Sequence, residues 1–213
     1  MEKNQLKRGK FITLEGMDGA GKSTHIPNII ALVKAKGVEV VSTREPGGTC
    51  LGEALREILL HQNMSVETET LLMFAARQEH IKQVILPALE RGAYVVSDRF
   101  TDASYAYQQG AKGLSMAKMQ VLEDWVQGSE VSNTSLQPDL TLLFDVPVEV
   151  STARLKNARS PDKFERENTC FFTKIRDAYL TRALQYPQRI CVIDANQPLE
   201  IVEALVEEII LSL

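Results

Sequence analysis

The run Gly16-Met17-Asp18-Gly19-Ala20-Gly21-Lys22-Ser23, followed by Thr24, concentrates glycines, one lysine and two hydroxyls in a single short stretch. Glycines let the backbone curl until successive N–H groups face one point, and a helix starting there adds partial positive charge. That is a cradle for a polyphosphate. The spacing G-x-x-x-x-G-K-[ST] lets Lys22 reach the β- and γ-phosphates and Ser23 hold a magnesium ion. Asp18 is the odd member, because a carboxylate works against anion binding. It is either a solvated turn residue or one that faces away from the ATP phosphates, accepting from a second substrate's sugar hydroxyl.

Two further segments carry an arginine in an unusual setting. Thr43-Arg44-Glu45-Pro46-Gly47-Gly48-Thr49 sets Arg44 beside a rigid proline and two glycines. This suits a bound phosphate, or else a tight turn carrying a surface charge. Asp98-Arg99-Phe100 repeats the arrangement, with Asp98 placed to assist magnesium or its waters. Two arginines and a phosphate cradle suggest two phosphate groups facing each other, hence phosphoryl transfer between nucleotides.

The elements that must position these segments follow from periodicity. Phe11–Leu14, Val38–Val41, Tyr94–Ser97, Leu140–Val146 and Ile190–Asp194 read as strands. Helical spacing runs through Ile26, Ile29, Ile30 and Val33 to a stop at Gly37, with Pro27 early in the pattern. It recurs over Leu51–Leu60, Glu69–Leu89, Ser115–Val126, Val148–Leu155, Phe171–Leu184 and Leu199–Leu211. Val131–Gln137 reads as a polar surface loop, and Ala158–Glu167 as a charged stretch lacking an apolar face. Strands alternating with helices imply one α/β domain around a mainly parallel sheet, which binds ligands at the carboxyl ends of its strands. The three polar segments each follow a strand and should meet in one crevice.

Composition bounds the rest. The 213 residues are 44% hydrophobic, 24% charged and 6% aromatic, ordinary values for one globular domain. Twenty-four Lys and Arg against 28 Asp and Glu leave a net charge of −4, so no global basic field draws nucleic acid or an anionic membrane. Cys50, Cys170 and Cys191 are too few and scattered for a disulfide scaffold or zinc site and fit a reducing cytoplasm. The basic start, MEKNQLKRGK, reads as a flexible lead-in over residues 1–10, and no stretch approaches the ~18 apolar residues of a membrane helix.

In order and spacing, FITLEGMDGAGKST, STREPGGT, MFAARQEH, VVSDRFTDASYAYQQGAKGL and PDLTLLFDVPVE resemble the motif series of bacterial thymidylate kinases. The resemblance runs from Phe11 to the end. It implies an α/β P-loop NTPase three-layer fold, a five-stranded parallel sheet flanked by helices, in one nucleoside monophosphate kinase domain over 11–213. A mobile lid would span about 154–167. The implied activity is magnesium-dependent transfer of the ATP γ-phosphoryl to dTMP, by a cytoplasmic homodimer. Gly16 to Thr24 would bind ATP. Arg44, Arg99 and Pro46 would bind the dTMP phosphate side, and Asp18 the deoxyribose 3′-hydroxyl or the phosphates. Arg77 would bond the thymine base, with Phe74 stacked on its ring. Met73 stands where many relatives carry that phenylalanine. Ser104, Tyr107 and Gln108 would close the sugar and base side. Lys22, Arg99 and Asp18 would serve catalysis, with Ser23 and Asp98 at the metal. Gly19 replaces a P-loop arginine found in some relatives, so the catalytic cation would come from the lid, Arg159 first and Arg154 next, among Lys156, Lys163 and Arg166.

An acceptor phosphate is already ionised at neutral pH, so no histidine base is needed, and His25, His61 and His80 read as helix or turn residues. The competing readings are a kinase for another nucleoside monophosphate or a deoxynucleoside, and a P-loop module that binds ATP without turnover. A GTPase lacks its N-K-x-D guanine-reading sequence.

Overall fold

The computed structural model describes residues 8–128, 134–155 and 163–213. Five strands form its centre: β1 (Phe11–Glu15), β2 (Val40–Arg44), β3 (Tyr94–Asp98), β4 (Leu140–Asp145) and β5 (Ile190–Asp194). They form one all-parallel sheet in the order β2-β3-β1-β4-β5. Strand β1 is wholly buried, and its side chains alternate between two cores. Ile12 and Leu14 pack with Ile29, Val33 and Val206, whereas Phe11 packs with Ile85, Leu89 and Phe100. Burial on both faces explains the near-continuous apolar character of the inner strands.

Register sets the site. Leu14 pairs with Asp98, and Arg44 also pairs with Asp98, so Glu15, Arg44 and Asp98 end at the same edge of the sheet. Strand order reverses at β1, flanked by β3 on one side and β4 on the other, and α/β sheets place ligands at such a switch point.

The helices are α1 (Lys22–Ala35), α2 (Cys50–His61), α3 (Val66–His80), α4 (Leu86–Glu90), α5 (Thr101–Ser104), α6 (Met116–Gln127), α7 (Val148–Leu155), α8 (Thr169–Gln185) and α9 (Leu199–Leu211). Helix α1 packs on α9, and α2 on α3. Side-chain caps start several of them: Thr49 accepts from Gly52 N, Ser65 from Thr68 N and Asn168 from Phe171 N.

Four departures from the sequence expectations have physical causes. β2 lies two to three residues later than Val38–Val41, because its pairing with β3 runs from Val40↔Tyr94 to Arg44↔Asp98. The single helix expected over Glu69–Leu89 is α3, a π-helical turn at Ile81–Ile85, and α4. Pro87 has no N–H to give the ladder and crowds the turn before it, and the wider turn sits just there. An unanticipated helical stretch, α5 running into a π-helical turn at Tyr105–Ala111, follows Phe100. Its buried residues Tyr105, Ala106, Tyr107 and Gln108 are consecutive and so carry no helical period. Phe164, within the stretch read as lacking an apolar face, is 6% exposed and packs edge-on against Tyr107 at 5.8 Å between ring centres. Of the loop Val131–Gln137, residues 131–133 lie outside the described residues, and Ser135 bridges back to Gly128. Arg8 and Gly9 are tied to the domain by an ion pair to Asp139 and a hydrogen bond to Leu89 O.

Candidate active site

The phosphate-binding loop joins β1 to α1 through three glycines at positive φ: Gly16 at 133°, Gly19 at 79° and Gly21 at 96°. A Cβ on Gly19 would lie 2.6 Å from the carbonyl oxygen of Ser151, so the loop is pressed against the start of α7. Ser151 Oγ, 2.6 Å away, donates to the Asp18 carbonyl and fixes that contact. Met17 and Ala20 turn their side chains into the core, so they offer only backbone to a ligand. Lys22 Nζ donates to the carbonyls of Gly16 and Met17 at 3.0 and 2.9 Å. Ser23 and Thr24 are exposed on the first turn of α1.

Beside the loop stands a buried polar chain. Arg99 is the one described non-glycine residue at positive φ, 73°. Its Nη2 donates to Asp18 Oδ1 at 2.7 Å and to Tyr107 Oη at 3.0 Å, and its Nη1 donates to Tyr179 Oη at 3.1 Å. Tyr179 in turn donates to Glu15 Oε2 at 2.8 Å, and the Phe100 N–H to Glu15 Oε1 at 2.7 Å. Burial would raise the Asp18 carboxyl, but Arg99 and Lys22 outweigh it and hold Asp18 well below the usual carboxylate range. Glu15 goes the other way, raised to about 8 by burial and by Asp102. Burial also pushes the Tyr107 and Tyr179 hydroxyls up, so both keep the protons they donate.

A cleft opens from this chain. Asp18, Arg99 and Arg56 line it together with Glu45 and Pro46, and Leu60, Met73, Phe100, Ala103, Tyr107 and Phe164 add apolar wall. Arg77, Ser104 and Gln108 complete it. Arg77 is 2% exposed and almost fully committed. Its Nε donates to Glu45 Oε2 at 2.7 Å, and its Nη2 to Phe100 O and Ser104 Oγ at 3.2 and 3.0 Å. Its Nη1 is buried without a hydrogen-bond partner among the described residues, in a side chain that lines the cleft. Glu45 is held in turn by His80 Nδ1 at 2.9 Å.

The thymidylate kinase family model matches residues 14–206. The chain belongs to the thymidylate kinase family. It is 63% identical over 202 residues to the thymidylate kinase of Methylobacillus flagellatus, covering 95% of this chain and 97% of that one. The thymidylate kinase of Cupriavidus necator is 58% identical over 208 residues, 97% of this chain and 100% of the relative. Among solved structures, the thymidylate kinase of Ehrlichia chaffeensis superposes with a TM-score of 0.75 at 31% identity, covering 95% of this chain and 98% of that one.

Of the residues that the thymidylate kinase resemblance singles out, Asp18, Pro46, Arg77, Arg99, Ser104, Tyr107 and Gln108 line the cleft. Arg44 does not. It ends β2 facing outward, exposed, with Nη2 on Glu53 Oε2 at 2.8 Å, in a separate depression shared with Asp98. Arg56 takes the cleft instead, one helical turn before Leu60 on the same face of α2, anchored by Nη1 to Pro46 O at 2.9 Å. That i,i+4 pairing was readable in the sequence. Phe74 is likewise not at the cleft. It is 2% exposed in a small core with Tyr105, Leu114 and Met119, with the Arg77 guanidinium over its ring at 4.6 Å. Met73, four residues before Arg77, stands on the cleft wall, because four residues make a closer helical turn than three.

Arg154 is exposed and turned to backbone, with Nη1 on Gly19 O at 3.4 Å and Nη2 on Ala195 O at 3.2 Å. Arg159 and Lys156 lie outside the described residues. Asp98 Oδ1 is buried with no hydrogen-bond partner among the described residues. An orphaned carboxylate oxygen at a strand end and an exposed hydroxyl on the adjacent α1 are hard oxygen donors that fit a magnesium ion. Tyr179 and Ser151 are not legible as site residues in the sequence, because their helices give no signal beyond ordinary polarity. Phe164 had one, as the apolar member of a charged run.

Proposed function

We propose that this chain transfers the γ-phosphoryl group of ATP to dTMP, giving dTDP, with both substrates meeting at Asp18. The observation that carries the reading is that Asp18 belongs at once to the phosphate-binding loop and to the wall of the acceptor cleft. A donor phosphate on the loop and an acceptor phosphate at Arg99 and Arg56 would then face each other across it. The acceptor oxygen is already ionised, so the protein's task is alignment and neutralisation of charge on the transferring oxygens. Lys22 supplies charge from the loop side and Arg99 from the cleft side, and Arg99 is kept rigid by Asp18, Tyr107 and Tyr179. Ser23 and Asp98 would hold magnesium, which when bound neutralises charge on the β- and γ-phosphoryl oxygens.

At the other end of the cleft, the free Arg77 Nη1 suits a base carbonyl, and Met73, Phe100 and Phe164 offer apolar contact to a ring. Arg44 acts, in this reading, as the brace of the loop before α2 through Glu53. A catalytic cation from residues 154–167 remains part of the proposal, with Arg159 first and Arg154 second.

The working form would be a cytoplasmic homodimer. A groove between α3 and α6, lined by Leu71, Leu114, Val121 and Leu122 among others, is almost wholly apolar, and Trp125 beyond it is 77% exposed. A second copy covering that face would remove the patch from water. No helix among the described residues is long and apolar enough to cross a membrane. An ADP-release assay run with dTMP, dUMP, dGMP and thymidine tests the activity. dTMP is expected to give the highest kcat/KM, and preference for thymidine or a purine monophosphate would overturn it.

A further inference from the structure

Gln108 sits on the cleft wall in the π-helical turn after α5 and is 1% exposed. Its Nε2 donates to Glu69 Oε1 at 2.9 Å. Glu69, on α3 and itself 1% exposed, also accepts from Lys112 Nζ at 2.8 and 2.9 Å and from Lys163 Nζ at 2.8 Å. Burial alone would raise this carboxyl, but the hydrogen bonds from the two ammonium groups and Gln108 keep it below the ordinary range. An ionised carboxylate accepts and never donates. Against it, the Gln108 amide can present only its NH₂, and the carbonyl Oε1 is left for the cleft. Flipping the amide would set carbonyl oxygen against carboxylate oxygen inside a buried cluster.

We propose that Glu69 is a positioning residue that sets base choice, by fixing the Gln108 amide so that the incoming pyrimidine meets an acceptor at Oε1 rather than a donor. This rests on the cleft being the dTMP site. Thymine offers an N3–H donor beside its O4 acceptor. Oε1 of Gln108 and Nη1 of Arg77 are the complementary acceptor and donor. Cytosine reverses both groups, with an acceptor at N3 and an amine at C4, so it would meet acceptor against acceptor at Gln108 and donor against donor at Arg77. Buried mismatches of that kind reject an analogue far more strongly than a missing methylene does. Lys112 and Lys163 also lie over the Phe164 ring, at 4.4 and 5.0 Å. The charges that hold Glu69 therefore also seat an apolar wall of the same cleft.

The test compares dTMP with 5-methyl-dCMP, which keeps the methyl group and changes only the hydrogen-bonding edge. The wild-type protein is expected to favour dTMP by about 10³ or more in kcat/KM. In Glu69→Gln, the neutral partner can accept or donate, the Gln108 amide is free to turn, and the preference should fall at least tenfold, mainly through the two KM values. In Gln108→Met, the preference should fall as well, and adding Glu69→Gln to it should change the preference no further. If folded Glu69→Gln loses overall activity but keeps the wild-type preference, Glu69 is only structural and the proposal fails. Comparable turnover of both nucleotides by the wild-type protein would refute it without any variant, should Glu69→Gln not fold. Absence of dTMP turnover in the wild-type protein would instead refute the function on which the proposal rests.

Discussion

Arg99 combines a strained backbone with three side-chain hydrogen bonds, to Asp18, Tyr107 and Tyr179, a cost that structures keep where a side chain must point one way. Arg99→Ala should lower kcat/KM for dTMP by about 10³ while far-UV circular dichroism stays near wild type, since alanine keeps the same positive φ and adds no new backbone strain. A near-normal turnover would remove Arg99 from the site. Arg56→Ala should act differently, raising the KM for dTMP more than tenfold with a smaller effect on the KM for ATP, measured by steady-state kinetics; equal rises in both would argue against an acceptor-phosphate role.

Glu15 offers a stability test with a definite sign. Its unfolded carboxyl ionises near 4.5, whereas burial and Asp102 lift it to about 8 in the fold, against the pull of Arg99. Between those values the folded protein holds a proton that the unfolded chain has lost. The Glu15 contribution is therefore complete below pH 4.5, declines as pH rises towards 8 and is flat above. Urea midpoints of wild type minus Glu15→Gln should fall between pH 5 and pH 8.5, roughly following that window. A difference that is constant with pH contradicts the assignment.

At the scale of elements, the loop between β1 and α1 works because α7 braces it. Gly19→Ala imposes positive φ on an alanine and drives its Cβ to 2.6 Å from Ser151 O. The strain alone is worth roughly 1–2 kcal/mol. The variant should lose thermal stability and ATP affinity together, whereas a variant that melts normally and binds ATP normally would show that the brace is unimportant. Strands β1, β3, β4 and β5 were legible as short apolar runs bounded by polar or turn residues, and most helices because their apolar residues recur at helical spacing. So was the P-loop, whose spacing is set by one chemical task. Residues Thr101–Ala111 were not, because the π-helical turn places neighbours such as Tyr107 and Gln108 on the same wall, and no 3.6-residue period describes that. The exchange of Arg44 for Arg56, and of Phe74 for Met73, has a similar origin. A motif names the residue types, but which side chain reaches the cleft depends on strand alternation and helical phase, fixed only when α2 and α3 pack against the sheet.

Across the whole molecule, a net charge of −4 coexists with a cleft where Arg56, Arg77 and Arg99 outnumber Asp18 and Glu45, so the sum over the chain conceals a local excess of positive charge fit for anions. The apolar α3–α6 groove makes a prediction at the same scale. Sedimentation should give a dimer, and Val121→Glu, a change at a residue 65% exposed, should shift it to monomer without loss of helical signal. A wild-type monomer at micromolar concentration would contradict the proposed pairing. In the proposed reaction two nucleotides react directly across Asp18. The most direct measurement follows a radiolabelled γ-phosphate from ATP with dTMP as acceptor. Label should appear in dTDP in step with ADP and in proportion to dTMP turned over. Release of label as free phosphate, unaffected by dTMP, would contradict it.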